Sequence, residues 1–233
     1  MKRNSRSGFY AVSIIIYLAC FGSSYSQVSF SGNLSGVSTY VWRGVKANNG
    51  PALQADASFS HGIFTLGAWA SSVNFGDDVE VETDPYLSFT LPSGDLSTTL
   101  GATVYMFDFR TFNDFADAEY ELFAQFAYRF IGLDAYFVPS QNSTKEDELR
   151  SLYWLELSAA ASWMGAELSA AVAYGTYSSR WLPEGPGKDP AGLLVLTVAK
   201  PVSEEFSVFW SGSLDAFSSG FENIFYFGGS YSF

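Results

Sequence analysis

The sequence predicts an all-β, antiparallel transmembrane barrel of about twelve strands. Three features predict it. Side-chain character alternates with a period of two along nearly all of the chain after Val28, and that period is a strand's. The breaks between alternating segments run long, short, long, short. Aromatic residues gather at the ends of the apolar faces. Composition agrees: 15% of residues are charged, 18% are aromatic, and Ser and Thr carry much of the polarity. Few charges and many rings suit a protein whose outside meets lipid.

The N-terminus reads as a secretory signal peptide over residues 1–26, followed by a single barrel domain over 27–233. Lys2, Arg3 and Arg6 precede an apolar run of 13 residues, Phe9 to Phe21, and Ser24-Tyr25-Ser26 offers small residues before a cut after Ser26. That run is short for a membrane helix. Cleavage removes Cys20, the only cysteine, and moves the formal charge from −12 to −15. The mature chain then crosses an oxidising compartment with no thiol to mispair. It offers no basic patch for nucleic acid. With no Cys and one His it offers no zinc cluster, and no cofactor is implied.

The strands follow in order. The first runs near Val28 to Trp42, with Phe30, Leu34, Tyr40 and Trp42 on one face and Ser29, Ser31, Asn33 and Ser35 on the other. The second, about Ala52 to Ser60, sets Leu53, Ala55, Ala57 and Phe59 against Gln54, Asp56 and Ser58, and His61-Gly62 turns it. The third, about Ile63 to Phe75, has a mixed parity that suggests a bulge. The fourth is near Asp84 to Leu91, with a turn at Pro92 to Asp95, and the fifth near Leu96 to Phe107. The sixth sets Tyr120, Leu122, Ala124, Phe126, Tyr128 and Phe130 against Glu119, Glu121, Phe123, Gln125 and Arg129, and Ile131-Gly132 is its expected turn. The seventh is about Leu133 to Val138, the eighth Ser151 to Trp163, the ninth Ala166 to Tyr174, the tenth Gly192 to Lys200 and the eleventh Phe206 to Phe217. Met164-Gly165 turns the eighth into the ninth.

The last strand is the plainest. Phe225, Phe227, Gly229, Tyr231 and Phe233 share one face, and Ile224, Tyr226, Gly228, Ser230 and Ser232 the other. A final strand of this kind resembles the closing strand of bacterial outer-membrane barrels. Short connections fit periplasmic turns and long ones extracellular loops, with both termini periplasmic. Lipid cannot satisfy an open sheet edge, so such strands must close. Rings at strand ends fit two interfacial girdles: Tyr40, Trp42, Tyr120, Phe137, Tyr153 and Tyr174 on the loop side, and Phe30, Phe59, Phe130, Trp163, Phe206 and Phe233 on the turn side. The expected partners are therefore the outer-membrane bilayer and, through the strand ending at Phe233, the barrel-assembly machinery.

The stretches Tyr40-Val-Trp-Arg43-Gly44, Gly50-Pro51-Ala-Leu-Gln54 and Gly67-Ala-Trp69-Ala-Ser-Ser-Val-Asn74-Phe75 resemble the opening of the TorF family of porins. The resemblance implies an outer-membrane barrel and leaves the solute open.

If the apolar parity faces lipid, the other lines the lumen. That face collects Gln54, Asp56, Glu119, Glu121, Arg129, Asp134, Glu156, Glu167 and Asp215, with Arg43 at the first strand's mouth. Carboxylates outnumber guanidinium groups, so the lumen should favour cations or neutral polar solutes over anions. Trp154, Tyr86, Tyr105, Phe107, Phe123, Tyr136, Phe209 and Tyr226 point inward on the same parity, to stack on solutes or to fill space. An enzyme is not expected: the sole His, His61, lies in a short turn with no nucleophile arranged beside it. Two functional readings stay open. One is passive diffusion of small hydrophilic solutes. The other is a narrow or plugged barrel with a structural role, or one that binds a partner through the loops Pro139–Arg150 and Gly175–Ala191.

Overall fold

The computed structural model describes residues 27–48, 50–73, 80–106, 119–139, 152–176, 191–216 and 222–233. Fourteen strands form among them: β1 (Ser29–Val37), β2 (Val41–Trp42), β3 (Val45–Lys46), β4 (Ala52–His61), β5 (Phe64–Val73), β6 (Glu80–Ser93), β7 (Leu96–Tyr105), β8 (Glu119–Tyr128), β9 (Ile131–Val138), β10 (Leu152–Trp163), β11 (Ala166–Gly175), β12 (Ala191–Pro201), β13 (Phe206–Asp215) and β14 (Ile224–Ser232). Twelve of them, β1 and β4 to β14, pair with sequence neighbours and close into one antiparallel barrel where β14 meets β1. The other two, β2 and β3, form a separate two-stranded hairpin.

The alternation explains the wall. Leu34, Leu53, Leu66, Leu122, Leu157 and Phe227 stand exposed on the outside, Leu53 to 76%. Their partners across each pleat, among them Ser58, Ser71, Ser88, Ser211 and Ser213, are buried inside. An apolar outside around a polar inside is stable only with lipid as the outer solvent. Closure is explicit at the seam: Gly32 N–H donates to Phe233 O at 2.9 Å and Phe233 N–H donates to Gly32 O at 3.0 Å. The Phe233 ring lies over Gly32, in the space a side chain there would need, beside the rings of Phe30 and Tyr231 at 6.1 Å each.

The turn-side connections are tight. Met164 (φ 51°) and Gly165 (φ 71°) both take the left-handed conformation that matches the twist of a two-residue hairpin. The β8–β9 turn falls one pair earlier than the sequence suggests. Arg129 (φ 54°) and Phe130 make it, and Ile131 already pairs with Tyr128. Arg129 is thereby corrected from a lumen position to the exposed rim, where its Nη2 meets Asp95 Oδ2 of the neighbouring turn at 2.9 Å. The expected bulge in the third strand is also corrected, since β5 runs in regular register from Phe64 to Val73 against β4 and β6. Its parity reads as mixed because inward Trp69 and Val73 face protein, not water.

Phe59, Phe130, Trp163 and Phe233 are exposed at the turn-side ends, and Tyr120 at the loop-side end. Tyr40 and Trp42 are not in a girdle. Strand β1 stops at Val37, so the parity that would have carried them to the lipid face is broken. Tyr40 is 7% exposed and packs with Val37, Ala52 and Val73 inside, with Trp42 against the same cluster. Of the loops Pro139–Arg150 and Gly175–Ala191, all but Pro139, Gly175, Thr176 and Ala191 lie outside the described residues, as does Phe107.

Replacing Phe233 by Ser removes the ring that covers Gly32, a loss of about 1 kcal/mol. The Ser variant is expected to yield less heat-modifiable folded barrel than the parent chain, and Phe233→Tyr to match the parent. Equal yields of folded barrel for the Ser variant and the parent would remove the seam argument.

Candidate functional site

The first loop-side connection returns into the barrel. Val41 pairs with Lys46 and Trp42 with Val45, leaving Arg43 (φ 46°) and Gly44 (φ 81°) as a two-residue tip with both residues left-handed. That is the geometry of a type I′ turn. Gly takes it freely, whereas an Arg in this region is uncommon and worth an explanation. The base of the hairpin is clamped. Tyr40 N–H donates to Asn48 Oδ1 at 2.7 Å, Thr39 Oγ1 donates to Asn48 O at 3.0 Å, and Ala47 N–H donates to Tyr40 O at 2.9 Å.

The tip explains the Arg. Its guanidinium meets Glu121 through both arms, Nη1 to Oε2 at 2.8 Å and Nη2 to Oε1 at 3.0 Å, the bidentate geometry that makes such pairs strong. Tyr105 Oη donates to Glu121 Oε1 at 2.8 Å. The guanidinium carbon lies 4.6 Å from the centroids of Trp42 and Tyr136 and 5.6 Å from that of Trp154, close enough for cation–π attraction. Burial acts to lower the Arg43 pKa, but the Glu121 carboxylate and neighbouring phenols outweigh it, so the guanidinium stays charged.

Topology gives these contacts their meaning. The hairpin leaves the wall between β1 and β4, which are adjacent in the ring. Tyr136 and Trp154 stand on β9 and β10, the two strands opposite that point in the strand order. The hairpin therefore crosses the lumen from wall to wall. Leu193 of β12 occupies the space a side chain at Gly44 would fill, and Val45 packs with Trp42 against Trp154, Ala173, Ala191 and Leu193.

On the turn side of the hairpin the wall is polar and largely self-satisfied. Hydroxyls pair across strands: Ser31 with Ser58 at 3.0 Å, Ser60 with Thr65 at 2.9 Å, Thr90 with Thr99 at 2.9 Å and Thr197 with Ser211 at 2.8 Å. Asn33 donates to Ser232 Oγ at 3.0 Å. Three inward rings lie along the wall, each in the space of a glycine on the next strand: Tyr86 over Gly67, Phe123 over Gly101 and, against the base of the hairpin, Phe209 over Gly228. Glycine there lets a ring lie flat instead of projecting into the bore.

Among the expected lumen residues, Gln54 and Asp56 (β4), Asp134 (β9) and Glu156 (β10) are half-buried on the inner face, and Glu121 is fully buried under Arg43. Glu119 and Asp215 are half-buried on loop-side strand ends, and Glu167 is exposed near the turn-side rim. Two functional candidates were missed. Glu82 and Asp84 are 2% and 5% exposed on the inner face of β6. The signal was present, because Glu80, Glu82, Asp84 and Tyr86 alternate with Val81, Thr83, Pro85 and Leu87, but Asp84 reads as a loop residue when the strand is started there. Tyr40 faces Glu82, and burial first, then the nearby carboxylates, push this phenol well above its ordinary range.

Residues 22–180 match the model of a family described as a bacterial protein of unknown function, Gcw_chp. No curated protein matches the chain in sequence. Among solved structures, the KdgM porin in complex with disordered oligogalacturonate is similar with a TM-score of 0.55 at 9% identity, over 88% of this chain and 99% of that one. An outer-membrane channel from Pseudomonas putida F1 gives 0.45 at 12% identity, over 90% and 97%. The outer-membrane phospholipase of Salmonella typhi gives 0.43 at 13%, over 91% and 92%. The chain belongs to the Gcw_chp family.

The Arg43–Glu121 bond predicts a specific coupling. Loss of a charged hydrogen-bonded partner costs about 1.5–3 kcal/mol. Amide exchange over Val41 to Lys46 is expected to speed up ~10–100-fold in Arg43→Ala and in Glu121→Gln, and no further in the double variant. Additive effects of the two changes would show that the pair does not hold the hairpin.

Proposed function

We propose that this Gcw_chp barrel is an outer-membrane channel for passive diffusion of small hydrophilic solutes, neutral or cationic, whose bore is set by the Arg43 hairpin. The observation that carries this reading is a polar lumen crossed by a clamped loop, with inward rings folded flat below it. At Gly67, Gly101 and Gly228 an added side chain would meet both the inward ring and a carbonyl of the neighbouring strand, so these glycines seat the rings against the wall.

The charge of the lumen supports the cation lean. Asp56, Asp134 and Glu156 line it, with Glu82, Asp84 and Glu121 at the hairpin level. Among the described residues Arg43 is the one cation held inside, and Glu121 neutralises it. Oligogalacturonate, the polyanion in the KdgM structure, is a poor match for such a lining. The resemblance of the Tyr40–Gly44, Gly50–Gln54 and Gly67–Phe75 stretches to TorF-type porins points to the same role. In this account residues 1–26 direct export and are cleaved, and the strand ending at Phe233 is read by the barrel-assembly machinery.

The second reading, a barrel plugged by its own loop, draws on the same crossing of the lumen. Single-channel recording of the refolded mature chain in planar bilayers separates the two. The channel reading predicts small discrete steps with a cation-biased reversal potential in a KCl gradient. It predicts larger steps when residues 40–47 are replaced by a short Gly-Ser link. Insertion without steps in both forms would contradict it and favour a structural role.

A further inference from the structure

We propose that Glu82 and Asp84, roofed by Tyr40, form a binding site for a hard divalent cation of the calcium class on the inner wall beside the hairpin.

The two carboxylates are two residues apart on one strand face, about 6.6 Å along the strand, so both side chains point into the same recess. Their register partners on β5 are Ser71 and Trp69. Tyr40 caps the recess from the hairpin, beside Glu82 and Asp84, with its ring 5.3 Å from that of Trp69. Asp84 takes a backbone hydrogen bond at Met106 and Glu82 faces the Tyr40 phenol, yet one oxygen of each carboxylate has no partner among the described residues. Glu82 Oε2 and Asp84 Oδ1 are each buried without a hydrogen-bond partner. A buried charge without a partner is costly, and such groups are paired or coordinate metals. The cation inside this part of the barrel, Arg43, is engaged by Glu121 through both arms.

The donors are all oxygens: two carboxylates with a free oxygen each, and the Tyr40 phenol. Oxygen-only donor sets suit hard cations, and calcium tolerates irregular coordination with its remaining positions on water. Among the described residues no group of three or more His, Cys, Asp or Glu is set to hold a metal. Two carboxylates alone give a weak site, with Kd of about 10⁻⁴–10⁻³ M, the range of loosely built extracellular calcium sites. Because Tyr40 belongs to the hairpin, a bound cation also braces the hairpin against β6. The site requires the folded barrel and not conduction, so it stands or falls separately from the channel reading.

Terbium, a luminescent surrogate for calcium, tests it. Excitation of Tyr40 and Trp69 should sensitise Tb³⁺ emission in the refolded barrel, and millimolar Ca²⁺ should compete it away. The Glu82→Gln/Asp84→Asn variant, with folding checked by heat-modifiable migration, is expected to lose at least tenfold of the Ca²⁺-competed emission. Asp134→Asn/Glu156→Gln, lower in the lumen, is expected to keep it. Ca²⁺ should also raise the melting temperature of the parent and leave that of the Glu82/Asp84 variant unmoved. Emission absent from the parent, or unchanged in the Glu82/Asp84 variant, would overturn the proposal. So would a Ca²⁺-independent melting temperature in the parent, which would indicate that a shared proton neutralises the pair.

Discussion

In hydrocarbon a backbone N–H or C=O left without a partner costs several kcal/mol, and there is no water to relieve it. A chain that crosses lipid as strands must therefore pair every edge, and only closure does that. The rest of the structure depends on the meeting of β14 with β1. Once that seam forms, each pleat has one lipid face and one lumen face. Leu53 is then free to be exposed, and Glu121, on the lumen parity of β8, is buried.

Closure creates a second constraint. A barrel of twelve strands encloses more space than its own inward side chains fill near the loop-side mouth. The protein fills it with backbone. The segment after Val37 turns inward, clamps its base through Asn48, and fixes its tip by a bidentate ion pair across the bore. The left-handed Arg43 is the strained point of this arrangement, and strain of that kind persists where the surroundings over-determine it. Lower in the barrel the opposite device operates. There Tyr86 and Phe123 lie along the wall against Gly67 and Gly101, among hydroxyls paired across strands.

Much of this was legible in the sequence. Period-two alternation gave the number of barrel strands and the placing of Gln54, Asp56, Asp134 and Glu156, because an alternating strand between lipid and water leaves no freedom in parity. The hairpin was not legible for the same reason. Tyr40 and Trp42 continue the apolar parity of β1, and nothing local distinguishes a ring destined for lipid from one destined for a protein-filled lumen. Gly44 beside Arg43 was the available cue, but a turn residue marks a turn without saying which way it faces. Glu82 and Asp84 were lost to a boundary, since a run of carboxylates reads as loop until one asks what lies across the barrel from them. Arg129 was misplaced because the turn falls two residues before Ile131-Gly132, where a left-handed Arg stands in place of the expected Gly.

The central claim is that the Arg43 hairpin lies across the lumen against the far wall. The most direct test is a tether between its tip and β12, using Gly44→Cys with Leu193→Cys in a chain expressed from Gln27, which lacks the native Cys20. Gly44 and Leu193 are in contact in the structure, so the account predicts that a disulfide forms in the folded barrel and abolishes labelling by a bulky maleimide. Two free thiols that both label in the folded barrel would contradict it, and would place the loop outside the bore.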